Sequence, residues 1–148
     1  MATTIYFDMD GTIADLYSVP NWLDKLNNSD TSPYVEARPL VDMDNFAKVC
    51  GDLVNAGYQL GIISWTAKDG SKEYNKEVRK AKKAWVEKHC PQLLNDFHCV
   101  KYGTPKHYVK KGILIDDNAE VRASWDGLSF NASNSEEMME GLRQLAAA

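Results

Sequence analysis

Thr3-Thr4-Ile5-Tyr6-Phe7-Asp8-Met9-Asp10-Gly11-Thr12 decides how this chain folds. A β-branched and aromatic run ends in two aspartates one residue apart, followed by a glycine that can make a sharp exit turn. In a strand, residues two apart project to the same side. Asp8 and Asp10 are therefore expected to converge beyond the strand's carboxyl end, the edge at which open α/β sheets bind ligands. Two carboxylates there call for a partner, either a hard cation such as Mg2+ or a substrate whose chemistry uses a nucleophile beside a proton carrier. Taken alone, D-x-D-G is also an ordinary turn after a strand. A second pair, Asp116-Asp117, follows another strand-like run, Gly112-Ile113-Leu114-Ile115, and four acids at two strand ends are hard to explain structurally.

Outward from these two runs, strands alternate with helical patterns, which predicts βαβ units and a parallel sheet with right-handed crossovers. After the first strand, Asp15 to Pro39 is polar and turn-rich, with Pro20, Asn27-Asn28, Ser29-Asp30 and Pro33. Met43, Phe46, Ala47, Cys50, Leu53 and Val54 then recur at helical spacing, closed by Ala56-Gly57. A second strand spans Gln59 to Ser64. A long helix over Lys72 to His89 carries Tyr74, Val78, Ala81 and Trp85 on one face with lysines around the other, and Pro91 ends it. A third strand at Phe97 to Tyr102 leads into Gly103-Thr104-Pro105-Lys106, and a fourth covers Ile113 to Ile115. A short helix from Ala119 to Ser124, a fifth strand at Leu128 to Phe130 and a helix from Ser135 to Leu145 follow. Asn134 and Glu137 have capping-box spacing, and Ala146-Ala147-Ala148 is expected to fray.

Composition bounds the function. The 148 residues, 44% of them hydrophobic, suit a single domain over 1–148 with a real core. No apolar run approaches the roughly 20 residues of a membrane span, and the amino terminus lacks a signal-peptide layout, so a cytoplasmic protein without membrane contact is expected. Cys50, Cys90 and Cys99 are odd in number and lack C-x-x-C spacing, which points to reduced thiols rather than disulfides or zinc. The net charge of -4 is uneven: residues 1–60 hold nine acids and three bases, and residues 68–88 hold eight bases and four acids. The basic stretch reads as a solvated helix face, or else as a surface that steers a polyanion such as a nucleic acid end.

The ordered set resembles the haloacid dehalogenase-like superfamily, Mg2+-dependent phosphoryl-transfer enzymes on a Rossmann-like fold. Asp8-Met9-Asp10-Gly11-Thr12 matches its first motif, Ser64 at the end of the second strand its second, a lysine before the fourth strand its third, and Asp116-Asp117 its fourth. The resemblance implies a three-layer α/β fold with a parallel five-stranded sheet in the order 5-4-1-2-3 and a small cap-like insert at 15–38. It implies Asp8 as nucleophile, Asp10 as acid/base, Ser64 and a lysine as phosphate ligands, and Mg2+ held by Asp8, Asp116 and the backbone carbonyl of Asp10, with Asp117 behind them. Lys106 is the choice of lysine because it follows a Gly-Thr-Pro turn ten residues before Asp116; Lys101 is the fallback, and Lys110 and Lys111 flank the next strand. Physical reasoning agrees: a phosphate monoester repels a carboxylate nucleophile unless cations neutralise the phosphoryl oxygens.

The expected activity is a Mg2+-dependent phosphatase acting on a small phosphate ester through an aspartyl-phosphate. Asp10-Gly11-Thr12-Ile13-Ala14-Asp15-Leu16 is similar to the opening of the pyrimidine deoxyribonucleotidases, which implies a nucleotide substrate, although their larger cap is missing. A nucleic-acid end phosphatase and a noncatalytic binding protein are the alternatives. Asp15 and Trp65 are possible substrate contacts. Asp15 is equally a turn residue and Trp65 equally core, and Tyr17, Trp22 and Tyr34 read as pocket wall or as loop anchors. His89, His98 and His107 show no metal-ligand arrangement, and the oligomeric state is left open.

Overall fold

The computed structural model describes residues 2–148. Strand β1 (Thr4–Phe7) is buried along nearly its whole length because both faces of the sheet are covered. After it come the two-residue strand β2 (Ala14–Asp15), a 3-10 turn at Leu16–Ser18, and helices α1 (Trp22–Asn27) and α2 (Ser32–Glu36). Then follow β3 (Arg38–Pro39), α3 (Met43–Asn55), β4 (Gln59–Trp65), α4 (Lys72–His89), a 3-10 segment at Pro91–Asp96 and β5 (Phe97–Val100). The chain finishes with α5 (Lys106–Val109), β6 (Ile113–Asp116), α6 (Ala119–Ser124), β7 (Ser129–Asn131) and α7 (Ser135–Ala147).

The five-stranded sheet runs β5-β4-β1-β6-β7 and every pairing in it is parallel. The labels depart from the expected 5-4-1-2-3 because β2 and β3 form a separate antiparallel ribbon and enter the count. With those two set aside, the sheet read from its β7 edge has the expected neighbours. One face presents Ile5, Phe7, Leu60, Ile62 and Ile115 to a core shared with α3, α7 and the end of α4. The other presents Tyr6, Ile63 and Leu114 to Trp125 and to Val109 and Val121 of α5 and α6. The result is a three-layer α/β arrangement compatible with a Rossmann-like fold.

Several local expectations change. In α3 the core positions are Phe46, Val49, Cys50 and Leu53, while Val54 is 53% exposed, because the apolar stripe follows the 3.6-residue period rather than every apolar residue. Helix α7 does not fray at Leu145 but continues to Ala147, with Leu145 and Ala146 packed against the core. The Asn134 side chain caps it by accepting from the Glu137 N–H. The largest difference lies between β2 and β3, where the turn-rich stretch forms two short helices. They are held by packing: Leu16 and Tyr34 bury against Tyr74 and Val78 of α4. Two hydrogen bonds tie the same stretch to that helix, Tyr74 Oη to the Asp30 carbonyl at 2.8 Å and Trp85 Nε1 to the Ala37 carbonyl at 2.8 Å.

Trp85→Phe keeps most of the ring but leaves the Ala37 carbonyl without its donor. It should destabilise the protein by about 1–3 kcal/mol, read as a lower urea midpoint at unchanged m; an unchanged midpoint would show that the tie carries no stability.

Candidate active site

The carboxyl ends of β1, β4 and β6 deliver Asp8, Ser64 and Asp116 to one edge of the sheet. Past Phe7 the chain stays paired for one residue, the Asp8 N–H donating to the Ile115 carbonyl at 2.9 Å, and then turns. The Met9 carbonyl accepts from the N–H groups of Thr12, Ile13 and Ala14, which winds the turn tightly. Gly11 sits in it at φ +82°, and a Cβ there would lie 2.4 Å from Asp117 Oδ2, so both the backbone and the close approach of the second acidic pair require glycine.

Because the strand ends before Asp10, strand alternation does not govern where the two carboxylates go. Asp8 and Asp10 line one cavity but belong to different ion pairs. Asp8 meets Lys106, whose Nζ lies 3.0 Å from Asp8 Oδ1 and 2.7 Å from Asp116 Oδ2. Lys106 opens α5 directly after Pro105, is only 3% exposed, and lies 5.3 Å from the centre of the Trp65 ring. Lys101 is exposed, as are Lys110 and Lys111, and none of the three lines the cavity.

Asp117 is more central than expected. Oxygens of Asp8, Asp116 and Asp117 lie within 4.8 Å of one another, so Asp117 belongs to the acidic cluster itself rather than behind it. Buried Thr12 links the pairs: its Oγ1 accepts from the Asp117 N–H at 3.2 Å and lies 3.3 Å from Asp8 Oδ2 and 3.2 Å from Asp117 Oδ1. One hydroxyl proton can serve only one of those carboxylates at a time.

The residue that sequence reasoning missed is Lys82. Its place in the lysine-rich helix α4 predicts a solvated side chain, yet it is 1% exposed and projects into the site. Its Nζ donates to Asp10 Oδ2 at 2.8 Å, to Ser64 Oγ at 2.7 Å and to the Trp65 carbonyl at 2.7 Å, and lies 5.1 Å from the centre of the Tyr34 ring. The signal was present: residue 82 falls four after Val78 and three before Trp85, on the stripe that the apolar residues define. The other bases of α4, Lys72, Lys76, Arg79, Lys80, Lys83 and Lys88, are exposed as expected.

Four carboxylates thus face two ammonium groups, a surplus of two negative charges when all are ionised. The acidities follow from this imbalance. Burial opposes ionisation of Asp8, but Lys106, a hydrogen bond with Asp117 and Lys82 hold its carboxyl below the ordinary range. Burial raises Asp10 despite Lys82. Burial and then the charge of Asp8 push Asp116 up to about 6 and Asp117 up to about 7, the latter helped by its hydrogen bond to Asp8. For Lys106, burial disfavours the charge, and Asp8 and Asp116 outweigh it and raise its pKa.

Above the acids opens a cavity of about 360 Å3, walled by Tyr17, Trp22 and Tyr34 of the segment between β2 and β3 and by Trp65 and Tyr102 across from them. Trp65 is part of this wall rather than core; its Nε1 donates to the Thr104 carbonyl at 2.8 Å and its ring centre lies 5.0 Å from that of Tyr102. Asp15 does not line the cavity but sits opposite Arg38 in the backbone register of the β2-β3 ribbon. None of the three histidines lines it, and His98 pairs instead with Asp96. All three cysteines are free thiols. No protein-family model matches the chain, and a search of curated proteins finds no match.

Raised carboxyl pKa values have a stability consequence. Between about pH 4 and 7 the folded chain keeps a proton on Asp117 that the unfolded chain releases, so this group's contribution is present at low pH and lost as pH rises through about 7. Without divalent cations, Asp117→Asn should therefore gain in melting temperature relative to the wild-type protein as pH is raised from about 5 to 8. A constant difference across that range would overturn the assignment.

Proposed function

We propose that the protein is a Mg2+-dependent phosphatase of the haloacid dehalogenase-like type, hydrolysing a small phosphate monoester through an aspartyl-phosphate on Asp8. The observation that carries this reading is the cluster of Asp8, Asp116 and Asp117 bridged by Lys106, directly beside the Asp10-Lys82-Ser64 group. The order of the five sheet strands is consistent with it.

The donor set fits the metal. Carboxylate oxygens are the ligands that a hard divalent cation takes, and its two charges match the surplus of the site. Asp8, Asp116 and Asp117, with the Asp10 carbonyl that the resemblance implies, are the groups that would hold it. When bound, Mg2+ supplies neutralisation of the phosphoryl oxygens, which the net negative site otherwise repels. The remaining work falls to the chain. A carboxylate oxygen of Asp8, kept ionised by Lys106, attacks phosphorus as the bond to the leaving oxygen breaks. Asp10, whose burial favours its protonated form, gives that oxygen its proton. Asp10 then takes a proton from the water that attacks the aspartyl-phosphate, the bond from phosphorus to Asp8 breaks, and inorganic phosphate leaves. Ser64 and Lys106 hold phosphoryl oxygens through both steps.

For the substrate, the aromatic walls contributed largely by the segment between β2 and β3 favour a compact leaving group with a flat face, as in a nucleoside monophosphate. This segment acts as the cap in place of a larger domain.

With p-nitrophenyl phosphate, turnover should require Mg2+, vanish in Asp8→Asn, and fall about 100-fold or more in Asp10→Asn. Lys106→Ala should lose about 100-fold or more. Mg2+-dependent stabilisation without any turnover would replace this reading by that of a noncatalytic binding protein. Activity on oligonucleotide ends exceeding that on mononucleotides and falling with salt would replace the small-molecule substrate by a nucleic acid end. Because the carboxyls must shed protons to bind a cation, Mg2+ should raise the melting temperature more at about pH 8 than at about pH 5.5; an equal or reversed shift would remove the metal from the cluster.

A further inference from the structure

Lys82 cannot itself bind a substrate. It is 1% exposed, and an ammonium has three protons and no lone pair, all three being committed to Asp10 Oδ2, Ser64 Oγ and the Trp65 carbonyl. The Tyr34 ring, 5.1 Å from Nζ, flanks it as well. Its effect must therefore pass through the groups it holds.

Those effects are directional. Since the ammonium can only donate, Ser64 Oγ is fixed as its acceptor, and the hydroxyl proton must point elsewhere. Ser64 lines the cavity and donates to nothing among the described residues. At Asp10, Oδ2 is held by Lys82, while Oδ1 has no hydrogen-bond partner among the described residues. We infer that Lys82 is a positioning residue: it commits the Ser64 hydroxyl as a donor into the cavity and reserves Asp10 Oδ1 for proton transfer to the leaving oxygen. The inference rests on the phosphatase reading. As the bond from phosphorus to the leaving oxygen breaks and the bond to Asp8 forms, that oxygen takes the proton held on Asp10 Oδ1. Tyr74 and Trp85, eight residues before and three after Lys82, anchor the aromatic segment to the same helix face, so one helix fixes both the cavity wall and the orientation of the acid.

A leaving-group comparison tests this, because p-nitrophenolate departs readily without a proton whereas phenolate depends on one far more. With the full chain and Mg2+, kcat/KM is measured for p-nitrophenyl phosphate and phenyl phosphate in the wild-type protein, Lys82→Met and Lys82→Arg. Lys82→Met should lose about 10-fold or more beyond its loss on p-nitrophenyl phosphate when phenyl phosphate is the substrate. Lys82→Arg keeps the charge, but its planar fork cannot direct three donors to these acceptors, and the same selective loss is expected. It decides the question if the methionine variant does not fold. Equal losses on both substrates, or none, overturn the positioning role while leaving the phosphatase reading intact. A wild-type protein that turns over neither substrate overturns both.

Discussion

Two buried ammonium groups pair with three of the four carboxylates gathered at one edge of a parallel sheet, and the geometry of this molecule is organised around that constraint. Lys106 bridges Asp8 and Asp116, and Lys82 pairs with Asp10. Removing such charges from water carries a desolvation cost of several kcal/mol per ion, by order of magnitude, which only close pairing and full hydrogen bonding can offset. Lys82 meets the condition with three acceptors, and Lys106 has two carboxylate partners with the Trp65 ring beside it. Neither cation, however, cancels the third acid of the cluster, and the chain alone meets the excess by raised pKa values at Asp10, Asp116 and Asp117.

The two lysines reach the site by different routes. Lys106 comes from the turn after β5 and is the first residue of a four-residue helix, so its backbone is set by Pro105 and by the start of the next crossover. Lys82 comes from the middle of the longest helix, and its placement depends on how α4 lies against the sheet and against the segment between β2 and β3. Tyr74, Val78, Lys82 and Trp85 share one face, and all four contact that segment directly. A change in the seating of α4 would thus reach the cavity wall and the acid Asp10 together.

Much of the arrangement was legible because it is local. The five core strands, the span of α4, the cap at Asn134 and the turn at Gly11 follow from apolar runs, capping residues and punctuation close in sequence. The Gly-Thr-Pro turn singles out Lys106 among the four lysines before β6, and the structure brings it to Asp8 and Asp116. The short helices α1 and α2 were not legible: they are only six and five residues long and are flanked by turn formers such as Pro20 and Asn28-Ser29-Asp30, and burial of Leu16 and Tyr34 against α4 holds the segment in place. Asp15 and Trp65 divided in opposite directions, the first paired in the β2-β3 ribbon and the second forming part of the cavity wall.

By itself the sequence determined the sheet's strands, the two acidic pairs at strand ends and the glycine that turns the chain out of the first strand, since each depends on residues a few positions apart. Only the tertiary structure decided which acid pairs with which base. That Asp10 belongs to Lys82 rather than to the Lys106 cluster, and that Asp117 lies inside the acidic cluster, depends on contacts spanning 72 and 105 residues. A lysine on an apolar stripe looks like a solvated one until the opposing carboxylate is in place, because burial of its charge is favourable only with a partner that the linear chain does not put beside it.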